Sequence, residues 1–373
     1  MTRKILFALV SVILFTAVDC KDEPTKPPVS DQPPDTTSHN FVVTRIDTLG
    51  DWFSTAFCVD ILDEINIWVG GEFTTKDSAG NYRNFTHNLA KWDGERWTKS
   101  RVEFIGWNNT GPDIQQIGAI KVFSDSSMFL LTRANSYAYY KSGKWTTQYI
   151  YPFGATYMWA RSDKSIFFAG AGYGYAGFWN GDSFSRMTTS ISNPPFFDIW
   201  GDENQVYTLG SPDNTSRDGS EYVFLYSTNT TNCTIANRYE IYKQAVPPNV
   251  FLGRLLSVYR ANMNTKLWVL GGEYHGSLYE VASLSPFSAK EFFKIPTVLF
   301  PKYIRGNADN DLFIFGSTGG SIWHYNGSTW KMIFSSDNFY LQSCAVRGNT
   351  VVLAGETPGG IAQYGIVITL KRY

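Results

Sequence analysis

The chain lacks the raw material for several kinds of chemistry. Its 373 residues include only 4 histidines (His39, His87, His275 and His324), in none of the spacings that gather metal ligands. No Gly-x-Ser-x-Gly elbow and no His-Glu-x-x-His run occurs, so neither a nucleophile nor a metal-activated water is indicated. Cysteine is equally scarce. Cys58, Cys233 and Cys344 follow Cys20 without any Cys-x-x-Cys pair, and an odd number beyond the leader argues against a disulfide framework. Cys58 and Cys344 are expected to be free, buried thiols. Charge of one sign is missing as well: 32 Lys and Arg face 33 Asp and Glu, a net charge of −1. No global field therefore draws the protein to nucleic acid or to an anionic bilayer. Long Ala/Glu/Lys/Leu stretches at helical spacing are also absent.

What is abundant is aromatic and glycine: Phe, Trp and Tyr make up 16% of the chain, and there are 32 glycines. That profile favours many short strands joined by tight turns.

The first residues are a separate object. Met1-Thr2-Arg3-Lys4 gives a basic start, and Ile5 to Val18 is an apolar run broken only by Ser11 and Thr16. As a helix that run spans about 21 Å, short of the roughly 30 Å hydrocarbon core. It reads as a secretion signal covering 1–19. The Ala17-Val18-Asp19-Cys20 sequence resembles the cleavage site of bacterial lipoprotein precursors, with Asp19 departing from the usual small residue. The resemblance implies lipidation of Cys20 and a membrane partner through that lipid. Lys21-Asp22-Glu23 is similar to the signal that sends such lipoproteins to the cell surface, so an outer-membrane or surface location, otherwise secretion, is expected. Residues 20–40 then form a linker, whose Pro-rich part at 24–39 is a semi-extended stalk of about 50 Å.

The remainder, 41–373, carries a repeat. Hydrophobic strands ending in Gly recur as "IWVGG", "IFFAG", "VYTLG", "WVLGG", "LFIFG" and "VVLAG", and "MFLLT" has Thr in the Gly place. They lie roughly 40 to 60 residues apart, the interval of propeller blades. Each follows a short polar turn, and four units continue into an aromatic–Asn/Asp/Ser–Gly–aromatic turn: "KWDGERW", "YKSGKW", "WNGDSF" and "YNGSTW". These read as two-residue hairpins with both central residues at positive φ. Seven units of four strands predict an all-β, seven-bladed β-propeller of antiparallel blades. The last unit supplies three strands, and "FVVTRIDTL" at 41–49 supplies the fourth, closing the ring.

Gly70-Gly71-Glu72-Phe73-Thr74, followed by Ala90-Lys91-Trp92-Asp93-Gly94 and Trp97, resembles the repeat of bacterial kelch-like or galactose-oxidase-like propellers. The absence of any Gly-His dipeptide separates it from WD repeats. The resemblance implies the propeller fold and a surface location, and little chemistry.

Other motifs have simpler explanations. "GYGYAG" at 172–177 matches a dinucleotide fingerprint but is followed by a strand and hairpin. "NADNDL" at 307–312 has acidic alternation, but Leu stands where a calcium loop needs Gly. No catalytic residue, metal or cofactor is assigned.

The polar signal that remains is Gly-Glu at one point of three blades: Glu72, Glu273 and Glu356. With Arg133 and the loop residues Trp107, Tyr173, Tyr175, Tyr274 and His275, these are the ligand-binding candidates, because flat rings stack on sugars and anchor protein partners. The expected function is a surface-tethered, monomeric binding or interaction module for a glycan or a protein. The alternative is a carbohydrate-active enzyme, a hydrolase or lyase, using carboxylates at the propeller mouth.

Overall fold

The computed structural model describes residues 38–373 apart from 77–78, 82–85, 107–110, 151–154, 171–175, 188–195, 204, 211–221, 227–234, 241–254, 263, 272–275, 285–286, 297–299, 318–319 and 359–362. Residues Met1–Pro34 and Asp35–Tyr373 form two separate units. The secretion signal, Cys20 and all but the end of the Pro-rich linker therefore lie outside the described residues. Among the described residues no helix is long and apolar enough to cross a membrane.

The strands run in chain order. β1 (Phe41–Leu49) precedes β2 (Thr55–Asp63), β3 (Asn66–Phe73), β4 (His87–Trp92) and β5 (Trp97–Ser100). A small ribbon, β6 (Glu103–Ile105) with β7 (Pro112–Ile114), leads to β8 (Ile117–Ser124), β9 (Ser127–Thr132), β10 (Ser136–Lys141) and β11 (Lys144–Tyr149). Next come β12 (Ala155–Ser162), β13 (Ser165–Gly170), β14 (Ala176–Trp179) and β15 (Phe184–Met187), then β16 (Phe196–Gly201), β17 (Val206–Gly210), β18 (Tyr222–Tyr226) and β19 (Ile235–Glu240). They are followed by β20 (Leu255–Tyr259), β21 (Leu267–Gly271), β22 (Ser277–Leu284) and β23 (Phe287–Lys294). The chain ends with β24 (Pro301–Ala308), β25 (Asp311–Gly316), β26 (Ile322–Tyr325), β27 (Trp330–Phe334), β28 (Tyr340–Arg347), β29 (Thr350–Glu356) and β30 (Gly365–Arg372).

These strands make seven four-stranded antiparallel sheets besides the ribbon. Six sheets use consecutive strands. The other has the order β1-β30-β29-β28, with Phe41 opposite Arg372 and Leu49 opposite Gly365, so its outer strand comes from the other end of the described chain. The innermost strands β2, β8, β12, β16, β20, β24 and β28 each pack on the next, and β28 packs on β2.

The Gly-ended hydrophobic runs are the second strands, buried from end to end between neighbouring blades in β13 and β25. A strand covered on both faces loses the polar alternation of a half-exposed one, and this explains the continuous apolar runs. The terminal glycine has a local cause. In all seven sheets the innermost strand bulges near its start, at Ala56/Cys58, Ile117/Ala119, Ala155/Tyr157, Phe196/Asp198, Leu255/Ser257, Pro301/Tyr303 and Leu341/Ser343. The extra residue turns the strand toward its partner. A Cβ on Gly71 would strike the Thr55 carbonyl oxygen, and one on Gly355 the carbonyl oxygen of Tyr340.

Two expectations need correction. Seven equivalent blades round one axis are not what the centre shows, because only six innermost strands line the axial cavity. β20 is the exception. Arg305 of β24 reaches past it to Asp198 of β16, with both Nη–Oδ distances 3.2 Å, and this pair hydrogen-bonds the Ser257 hydroxyl of β20. A small side chain thus sits behind a salt bridge formed by its two neighbours.

The hairpins also differ from expectation. Only Ser142-Gly143 has both central residues at positive φ, 49° and 88°, between paired Lys141 and Lys144. In the other three the aromatics pair directly, Trp92 with Trp97, Trp179 with Phe184 and Tyr325 with Trp330, which leaves four loop residues. There only the glycine is at positive φ, and the Asp93, Asn180 or Asn326 side-chain oxygen accepts two backbone N–H groups of its own loop. Asx capping substitutes for the second positive φ.

The ring is secured where the chain ends meet. Arg372 donates to Asp311 of the preceding blade through both Nη atoms, at 2.8 and 3.1 Å, and His324 Nε2 lies 2.8 Å from the same carboxylate. Burial alone would raise the Asp311 pKa, but hydrogen bonds from His324, Arg372 and Asn307 hold it below the usual range. On the far side, His324 Nδ1 meets His39 Nδ1 at 2.9 Å, so one ring donates and the other accepts.

Removing one partner from a buried pair strands the other charge. Arg372→Ala is expected to destabilise the fold by about 3–5 kcal/mol in denaturant titration. Lys371→Ala, which breaks an exposed ion pair with Glu64, should leave the transition in place. Burial, His324 and Lys331 all lower the His39 pKa from its ordinary 6.5. The folded state therefore binds that proton less readily than the unfolded one, and its contribution to stability is lost as pH falls below about 6.5. A pH series of melting temperatures should show this loss, and His39→Gln should flatten that part of the profile.

Candidate functional site: the mouth of the axial cavity

The cavity on the propeller axis has a volume of about 340 Å³. Its wall alternates ion pairs and rings. Lys121 pairs with Asp60 at 3.1 Å, and Asp60 also accepts the Val122 N–H. The Arg305 guanidinium lies 4.5 Å from the Trp200 ring centre and 5.3 Å from that of Tyr303. Cys58 and Cys344 line the same wall as free, buried thiols, as expected from sequence. Burial drives both thiol pKa values up, Cys344 to about 12, so neither supplies a thiolate nucleophile near neutrality.

At one end of this cavity the strand geometry gathers a polar cluster. The innermost strands begin where the second strands end, so Thr55 of β2 stands opposite Glu72 of β3, and Tyr340 of β28 opposite Glu356 of β29. Facing residues share one side of a sheet. The Thr55 hydroxyl donates to Glu356 Oε2 at 2.6 Å and accepts from Gln363 Nε2 at 3.2 Å. Gln342 Nε2 donates to the other Glu356 oxygen at 3.1 Å, and Gln116 Nε2 hydrogen-bonds Glu72. Thr55 thus binds the carboxylate of the last blade and stands opposite Glu72 of its own blade in the strand register.

Cations complete the cluster. Arg133 sits beside Glu72 with its guanidinium 4.6 Å from the Phe57 ring centre. Burial raises the Glu72 pKa, against the lowering effects of the Gln116 hydrogen bond and the Arg133 charge. The Lys302 ammonium donates to the carbonyl oxygens of Leu341 and Gln342, at 3.0 and 3.3 Å, and to Gln342 Oε1 at 3.4 Å. Burial lowers its pKa to about 8, with Cys344 and Glu356 opposing the shift.

Of the residues singled out from sequence, Glu72, Glu356 and Arg133 meet here. Trp107, Tyr173, Tyr175, Glu273, Tyr274 and His275 lie outside the described residues. Thr55, Gln116, Gln342, Gln363 and Lys302 were not anticipated. The available signal was positional, since Thr55 and Gln116 stand at the start of innermost strands, level with the Gly-Glu pairs. Among the described residues no group of three or more His, Cys, Asp and Glu is placed to hold a metal ion.

Trp92 and Trp97, by contrast, are structural. Their rings lie 5.8 Å apart, and the guanidinium of Arg45 on β1 covers Trp92 at 3.4 Å. They pack against the buried cluster shared by the first and last blades.

These sheets and their axial cavity define a β-propeller. No protein-family model and no curated protein matches the chain. Among solved structures it is similar to a catalytically inactive variant of virginiamycin B lyase from Staphylococcus aureus with quinupristin, at 13% identity and a TM-score of 0.62, covering 89% of this chain and 99% of that one. YCF48 bound to D1 peptide is similar at 10% identity and a TM-score of 0.58, covering 87% and 94%. The WD40 repeats of RRP9 match at 10% identity and a TM-score of 0.56, covering 91% and 99%. Likeness at these identities establishes the fold class. The kelch-like character of Gly70 to Trp97 stays a resemblance of that stretch.

Titration of Lys302 Nζ by NMR should give a midpoint at about 8. Because Glu356 favours the charged amine, Glu356→Gln should move that midpoint lower.

Proposed function

We propose that the chain is a binding module which takes its ligand at the Thr55 end of the axial cavity and, through Cys20 and the Pro-rich stalk, displays it from the cell envelope. The gathering of Thr55, Glu356, Gln342 and Gln363 in one hydrogen-bonded cluster, with Glu72 opposite Thr55 in the strand register, carries this reading. Both carboxylates are held by neutral amide or hydroxyl donors, an arrangement suited to recognising polar groups. The propeller neighbours include a peptide-bound protein, a use consistent with a binding scaffold.

One observation favours a second reading. Burial raises the Glu72 pKa, the direction that suits a carboxyl group to act as a general acid. The lyases among the neighbours show that this fold can carry an enzyme. A lyase or hydrolase at the same mouth is the alternative.

A single experiment separates them: an array of oligosaccharides and peptides, with turnover followed by mass spectrometry. Binding without product is expected, and Glu72→Gln and Glu356→Gln should each weaken it at least tenfold with an unchanged melting temperature. Product formation that either substitution abolishes would establish the enzyme instead.

A further inference from the structure

Around the mouth the surface exposes large rings. Trp52 is 36% exposed, Phe53 54%, Phe300 41% and Tyr340 41%. Hydrogen bonds and strand register link the segments that carry them to the chain ends around the carboxylate cluster. Ser54, next to Phe53, donates its N–H to the carbonyl of Gln363, whose side chain reaches Thr55. The Trp52 indole donates to the Tyr364 hydroxyl, which fixes the plane of its ring. Tyr340 is the cross-strand partner of Glu356. Ser317 donates to the carbonyl of Phe300 and accepts from Leu341, which joins Phe300 to the same strand end.

Phe53 is the informative residue. Its φ is +63°, a left-handed conformation in which a bulky side chain is strained, and its ring is more than half exposed. A glycine would hold this turn without that strain. Core packing is no compensation for a ring in solvent, so the strain points to a role for the exposed face.

Building on the binding-module reading, we infer that the occupant of the mouth is a neutral oligosaccharide whose sugar rings stack on Trp52, Phe53 and Tyr340 while their hydroxyls meet Glu72, Glu356 and the neighbouring glutamines. Three features select this chemistry. Flat aromatic faces match the C–H faces of pyranose rings. Glutamine and carboxylate side chains together offer donors and acceptors, as vicinal hydroxyls require. Among the described residues of the cluster the two carboxylates are matched by two cations, Arg133 and Lys302, so the cluster itself favours neither a polyanion nor a polycation.

The test is isothermal titration of the full chain with a panel of neutral hexasaccharides (cello-, manno-, xylo-, malto- and chito-oligosaccharides), beside anionic glycans and a peptide library. At least one neutral hexasaccharide should bind and shift the tryptophan fluorescence. Trp52→Ala and Phe53→Ala should each weaken that binding tenfold or more. Phe53→Gly provides the control for folding: it should keep or raise the melting temperature while losing affinity, whereas a purely structural Phe53 would lower the melting temperature. Peptide or anionic-glycan binding that responds to Glu356→Gln, with no neutral oligosaccharide bound, would overturn the sugar assignment and leave the binding module standing. Absence of binding by every probe would overturn both.

Discussion

An antiparallel sheet leaves unpaired N–H and C=O groups along each edge, and a ring of blades must stop its first and last members from separating. Here one sheet is built from both ends of the described chain. β1 pairs with β30 from Phe41 to Leu49, and Arg372 at the end of β30 crosses to Asp311 in the preceding blade. With Asp311 fully buried, that link is specific, because either charge without the other would be stranded in a low dielectric. The same closure makes β28 a neighbour of β2, which lets the Thr55 hydroxyl of one blade reach the Glu356 carboxylate of the other. The candidate site is thus a product of ring closure.

Within the ring the recurring bulge near the start of each innermost strand is the local device. It brings one backbone against the end of the next strand, which demands glycine at Gly71 and Gly355, and it leaves the following glutamates at the rim. Scaffold and site therefore share one cause. The Gly-Glu pairs arise where the backbone leaves no room for a Cβ and the chain turns out toward solvent.

The hydrophobic runs and their spacing made the four-stranded blades and the role of β1 legible, because burial on two faces imposes a composition that a sequence displays directly. Glu72, Glu356 and Arg133 were legible by repetition and loop position. Thr55, Gln116, Gln342 and Lys302 were not, since each looks like an ordinary polar residue until the register sets it against a carboxylate. The hairpins were misread for a related reason. Asp93-Gly94, Asn180-Gly181 and Asn326-Gly327 resemble two-residue turns, yet an Asx side chain caps a four-residue loop just as well, and the pairing of the flanking aromatics decides between the two.

The sequence alone determined that this protein is a chain of short, Gly-punctuated strands. Local sterics, strand burial and composition act within a few residues, and a linear reading can follow them. Only the tertiary structure decided that Thr55 binds Glu356 of the last blade while standing opposite Glu72, that an Asp198–Arg305 bridge hides β20 from the axis, and that Phe53 holds its ring out at positive φ. These depend on contacts between residues tens to hundreds of positions apart, and closing the ring is what sets the distances between them.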